Sequence, residues 1–173
     1  RFGKPLATSL ELNVSESGGI TDMIDDDVRF VGETLKLSGE NLIPSIQFLG
    51  ASTASKRIQS NVLDPGVKFD ELKSSLESSG EVINILEAAG SLHEGLLYGL
   101  SLSQLAKSLN AKVLLAHFWQ DSRSVEPLLD AKNQLGEHLS GVVLNAVNPD
   151  QIKDIKENIV PSLKSLGLDI FGV

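Results

Sequence analysis

Lys4, Thr8, Asp27, Glu87 and Asn145 are the side chains whose types and settings point to ligand chemistry. Pro5 holds Lys4 extended, and the hydroxyls of Thr8 and Ser9 follow, a setting for contact with an anion or carboxylate. The alternative is an exposed lysine near a terminus. Asp25, Asp26 and Asp27 precede an apolar helical stripe. There they complement the helix macrodipole, or one of them faces magnesium. Arg29, one residue into the same helix, faces either solvent or a phosphate. Glu87 leaves the apolar run Val82–Leu86 and enters Ala88-Ala89-Gly90. A carboxylate delivered there can hold a hard cation directly or through water, or simply cap the following turn. Asn145 follows Val142-Val143-Leu144 and carries a donor and an acceptor side by side, the hardware for reading an adenine edge. It equally suits the turn leading to Asn148-Pro149.

His93, His117 and His138 have no metal-ligand spacing, and only His93, in the loop after Glu87, is placed to matter. There is no Gly-x-Ser-x-Gly elbow, no Gly-x-Gly-x-x-Gly and no Gly-x-x-x-x-Gly-Lys-[Ser/Thr] loop. The only Gly-Lys pair, Gly3-Lys4, runs into Pro5.

Positioning these groups requires strands that end beside them. Strand-like runs at 82–86, 112–118, 141–147 and 168–173 alternate with helical runs at about 101–109, 122–139 and 150–166. Ser101-Leu102-Ser103-Gln104 has the form of a capping box. Pro127 fits the first turn of its helix, whereas Pro161 predicts a kink or break. Earlier in the chain, Val28, Val31 and Leu35 mark a helix ending near Gly39. Residues 13–24 read as a loop, 43–49 as a short edge strand interrupted by Pro44, and 50–61 as a mobile surface segment. Asp64-Pro65-Gly66 predicts a turn, followed by a helix carrying Phe69, Leu72 and Leu76 and closed by Gly80. Strands that are apolar throughout, alternating with helices, predict a three-layer α/β/α fold with a mainly parallel sheet, and 1–173 reads as one domain. In such folds ligands sit outside the carboxyl ends of the strands, where Glu87 and Asn145 lie.

Composition narrows the partners. A chain of 173 residues with a net charge of −8 disfavours nonspecific nucleic-acid binding, yet leaves room for a nucleotide or small anionic ligand held by local groups. With no cysteine, zinc-thiolate sites, thiol nucleophiles and disulfide frameworks are excluded. No apolar run approaches the roughly 20 residues of a membrane span, so a cytoplasmic protein is expected.

Several stretches occur together in a recognisable order: Gly3-Lys4-Pro5-Leu6 with Thr8, Asp25-Asp26-Asp27-Val28-Arg29-Phe30-Val31 with Glu33-Thr34-Leu35, Glu87-Ala88-Ala89-Gly90 through Gly95–Leu102, and Gly141-Val142-Val143-Leu144-Asn145. This ordered set resembles the dethiobiotin-synthetase-like P-loop domain at the N-terminus of phosphotransacetylase-family proteins, especially the cyanobacterial type. The resemblance implies P-loop NTPase topology, ATP and magnesium as cofactors, and a nucleotide-binding regulatory or ligase-like role. It implies Lys4 as the catalytic cation near a substrate carboxylate or phosphate, Asp27 and Glu87 at the metal, and Asn145 on the base, with Thr8 grouped among the cofactor contacts. Ala88 departs from the glycine usual after that glutamate. The family's P-loop strand would precede Arg1, and family members continue beyond Val173. The chain is therefore expected to be part of a longer protein, or else to have lost the loop. The contrasting expectation is a degenerate, non-catalytic α/β domain acting as a regulatory or interaction surface, with a protein partner or a second copy.

Overall fold

The computed structural model describes residues 1–8, 10–14, 20–80 and 82–173. It is a mixed α/β structure with short, largely parallel strands. Contacts cluster into two compact units, Arg1–Leu105 and Ala106–Val173. Among the described residues no helix is long and apolar enough to cross a membrane.

The first unit is organised around strand β1 (Phe2–Gly3), which lies between β5 (Leu42–Ile43) and β7 (Ile85–Leu86), both parallel to it. Phe2 pairs with Leu42 and Ile85, and Gly3 with Ile43 and Leu86. Gly3 is required by crowding: a Cβ there would lie 2.5 Å from the Ile43 Cβ. A second parallel pair joins β2 (Leu6–Ala7) to β6 (Gln47–Phe48). Helices α1 (Asp26–Leu35), α2 (Ala51–Ser60) and α3 (Val67–Glu77) accompany these strands. Leu6, Ala7, Val28, Ile43, Phe69, Leu72, Tyr98 and Leu100 are buried in this unit.

Four expectations for this unit need correction. Of the expected loop at 13–24, residues 13–14 and 20–24 are strand, because β3 (Leu10–Val14) and β4 (Ile20–Asp25) pair antiparallel. Leu10, Leu12 and Val14 alternate with Glu11 and Asn13, which is the period of a strand. The Ser- and Gly-rich residues 15–19 lie outside the described residues. The 50–61 segment is mostly the regular helix α2, which has no buried residue and therefore no apolar stripe to announce it. It is held by Arg57, whose guanidinium lies 5.2 Å from the Tyr98 ring centroid and donates to the carbonyls of Leu97 and Asp64. The 43–49 run is two short strands separated by Pro44, which supplies no backbone donor. Finally, the 82–86 run shrinks to Ile85–Leu86, and Ile83 and Ile85 are exposed rather than buried. The ladder with β1 is carried by Ile85 N donating to Arg1 O and Glu87 N to Gly3 O.

Helix α4 (Leu102–Ser108) begins at the end of this unit, in a capping box. Gln104 Oε1 accepts from Ser101 N at 3.0 Å, and Gln104 N approaches Ser101 Oγ at 3.4 Å.

In the second unit, β8 (Val113–Phe118), β9 (Leu139–Asn145) and β10 (Ile170–Gly172) form a parallel sheet in the order β10-β9-β8. Helix α5 (Val125–Leu135) connects β8 to β9, with Pro127 in its first turn as predicted. A composite helix connects β9 to β10: a 3-10 turn at Pro149–Gln151, α6 (Ile152–Asp154), a π-helical segment Ile155–Ile159, and α7 (Val160–Ser165). The irregularity expected at Pro161 takes the form of this π segment. A proline nitrogen has no hydrogen to give and its ring crowds the preceding turn, so the turn before it widens. Trp119, Leu128, Val142, Leu144, Ile155, Leu163 and Leu168 form one buried cluster.

Candidate functional site

The site is built on Lys4. It follows β1 directly, and Pro5 stops the strand from continuing through it. Its carbonyl accepts a 2.6 Å hydrogen bond from Ser45 Oγ, itself buried. Lys4 is not an exposed terminal lysine: only 4% of its surface is accessible. Its ammonium donates to Asp27 and to Thr8 Oγ1 at 3.0 Å, and lies 3.3 Å from Asp25 Oδ1 and 3.7 Å from Glu87 Oε1.

Each partner is fixed by a local structural rule. Asp25 ends β4 in an extended conformation and caps α1, its Oδ1 accepting from Asp27 N at 3.0 Å. Its Oδ2 accepts from Thr8 N at 2.8 Å, and the residue is fully buried. Asp27 is in the first turn of α1, where the unsatisfied amides favour an acid. Glu87 is placed by the β7 ladder, its amide donating 2.8 Å to Gly3 O. The parallel pairing of β1 and β7 thus puts Lys4 and Glu87 side by side at the carboxyl ends of adjacent strands.

Electrostatically the cluster is anionic, with three carboxylates around one ammonium. Burial disfavours the charged Lys4, but the Asp27 hydrogen bond and the Asp25 and Glu87 carboxylates outweigh it and raise its pKa above the ordinary value of 10.5. Burial pushes the Glu87 carboxyl up, aided by Asp27 and Asp25 and opposed by Lys4. Asp25 is inaccessible, whereas the Asp27 and Glu87 side chains keep 53% and 41% of their surface exposed. Those two carboxylates are the ones that present oxygens outward. Among the described residues no three His, Asp or Glu side chains are arranged to hold a metal ion by themselves. Magnesium commonly takes only one or two protein carboxylates and completes its shell with water and phosphate oxygens, so the donors present suit that ion.

Lys4, Thr8, Asp27 and Glu87 therefore come together, and Asp25, the acid not selected from the triplet, holds them. The signal for Asp25 was available: an Asp immediately before an apolar stripe is a favoured N-cap, and a cap has a fixed direction. Nothing in the sequence marks Ser45. Arg29 is half-buried, and His93 is exposed in a turn.

Asn145 belongs to the second unit, at the exposed end of β9, opposite Phe118. Its Oδ1 accepts from Ala146 N at 2.9 Å, and Ala146 has φ +58°. This is the turn geometry considered for it, with the side-chain amide nitrogen left over for other use. His117 faces the interior, with its Nε2 buried and unpartnered, and burial lowers its pKa. His138 is not a free surface group, since its Nδ1 lies 3.0 Å from Ala111 O. No family model matches the chain, and no solved structure matches it.

Proposed function

We propose that the chain is a magnesium- and nucleotide-binding module of the dethiobiotin-synthetase-like type, regulatory or ligase-like in role, with a three-layer P-loop NTPase topology. The supporting observation is the convergence of Lys4, Thr8, Asp25, Asp27 and Glu87 at the carboxyl ends of β1 and β7. An excess of carboxylates with two outward-facing members matches a hard divalent cation better than a bare anion. Glu87 and Asp27 would hold magnesium, which when bound neutralises phosphate charge. Lys4 is the cation for a phosphate or carboxylate oxygen of the ligand. Thr8 offers a hydroxyl beside it.

Calorimetry of the full-length protein with ATP tests this reading. Heat of binding should appear with magnesium, disappear with excess EDTA, and fall sharply in Glu87→Gln. Binding that is absent in all conditions, or unchanged by both EDTA and Glu87→Gln, overturns it.

One observation favours a second reading. Lys4 is already fully engaged, tying β1 to β4 and α1, so the cluster also suffices as a structural strut in a non-catalytic regulatory domain.

A further inference from the structure

Helix α2 is fastened to the first unit at one residue. It buries no side chain of its own, and its one large apolar residue, Ile58, is 66% exposed. A helix of 10 residues without an apolar footing is marginal in water, where isolated helices need roughly 12–15 residues or more. The element that α2 meets most is the 3-10 turn Leu96–Tyr98, and both ends of the helix converge there on Tyr98. At the start of α2, Gly50 O accepts from the Tyr98 hydroxyl at 3.4 Å. In its last turn, the Arg57 guanidinium lies 5.2 Å from the Tyr98 ring centroid. Arg57 also donates through Nε to Leu97 O at 3.2 Å, and through Nη2 to Asp64 O. Tyr98 is left only 1% exposed. The helix is bounded by Gly50 and by Asn61, the latter at φ +53°, residue types that change backbone conformation at little cost.

We propose that α2 is a strap latched on Tyr98, which opens as a unit between Gly50 and Asn61 and uncovers the tyrosine ring. Segments with few buried apolar contacts open at a smaller free energy than the whole fold. Its neighbour α3 buries Phe69 and Leu72, so it stays in place when α2 leaves. The strap also starts beside the carboxylate cluster. Leu49 N, one residue before Gly50, donates at 2.8 Å to the carbonyl of Ala7, which precedes Thr8. Opening of α2 is therefore a conformational switch at the edge of that site, and it needs no ligand there.

Hydrogen exchange and nitration by tetranitromethane, both on the full chain without magnesium or nucleotide, test the strap. The chain has a single tyrosine, so nitration reports on Tyr98 directly. After correction for intrinsic rates, the amides of Ser55–Ser60 should exchange together and at least about tenfold faster than those of Leu72–Leu76 in α3. Arg57→Leu removes the cation over the ring and two hydrogen bonds. It should raise both α2 exchange and Tyr98 nitration by about tenfold and leave α3 unchanged. Arg57→Lys, which keeps the charge without the planar fork, should fall between. Exchange of α2 as slow as that of α3, a Tyr98 inert to nitration while α2 exchanges, or an equal acceleration of α2 and α3 by Arg57→Leu overturns the proposal. The first two comparisons use the parent protein alone, so they decide the matter even if a variant fails to fold. Because no metal or nucleotide is present, failure here leaves the proposed role of Glu87 and Lys4 untouched.

Discussion

Replacing Asp25 by alanine should damage this protein more than any other single loss in the carboxylate cluster. The fully buried side chain does three jobs at once. It caps α1 through Asp27 N, accepts from Thr8 N, and faces the Lys4 ammonium at 3.3 Å. Loss of an N-cap costs about 1 kcal/mol. An orphaned buried amide costs about 1–3 kcal/mol. Breaking a buried ion pair costs about 3–5 kcal/mol, here reduced because Asp27 and Glu87 still face the lysine. These terms share atoms and do not add, so a net loss of about 3–5 kcal/mol is expected for Asp25→Ala. Urea unfolding followed by circular dichroism at neutral pH measures it. With a slope near 2 kcal/mol/M, the midpoint should fall by roughly 2 M without a change in slope. Asp25→Asn, which keeps one acceptor oxygen, should lose about half as much. Lys4→Met should cost less in the Asp25→Ala background than in the parent, since the ammonium has already lost its innermost partner. A loss below about 1 kcal/mol for Asp25→Ala, or strict additivity with Lys4→Met, refutes the argument that one carboxylate organises the cluster.

Glu87 and His117 make opposite pH predictions. Glu87 has a folded-state pKa above its ordinary 4.5, so its stabilisation belongs to the protonated form. That contribution is complete below pH 4.5 and is lost as pH rises through the folded value; stability curves against pH should show this decline in the parent and not in Glu87→Gln. His117 has a folded-state pKa below 6.5, so its contribution is present above pH 6.5 and is lost as pH falls through the folded value. Its ring protons, followed by NMR, should titrate with a midpoint below 6.5, and a midpoint at or above 6.5 contradicts the buried placement.

The second unit was the more legible in sequence because its signals reinforce one another. Val142 and Leu144 face the same cluster as Leu128, Ile155 and Leu163, so apolar strand runs and helical stripes report one core. Pro127 and Pro161 mark their helices by side-chain chemistry that does not depend on distant partners. In the first unit, Val82 and Ile83 look like strand residues but are exposed, so their apolar character does not report burial in a core. Helix α2 buries no residue and so leaves no period to read. In the site, Lys4, Asp27 and Glu87 stand out as charges at element ends. The hydrogen bond from Ser45 to Lys4 O depends on β5 and β6 flanking β1 and β2, which no local pattern encodes.

The central position of β1 also sets the order in which the chain can fold. Phe2 must find Leu42 and then Ile85, whereas Val142, on the central strand of the other sheet, pairs with Leu115 and Ile170, both much nearer to it in the chain than Ile85 is to Phe2. Long-range parallel pairing closes a large loop before any contact rewards it, so it forms slowly. The sheet of the second unit can therefore nucleate from its own βαβ segments while β1 is still searching. Lys4, Asp25 and Glu87 meet only when that search ends, so the carboxylate cluster is among the last features of the protein to assemble, and its formation should track the slow folding phase.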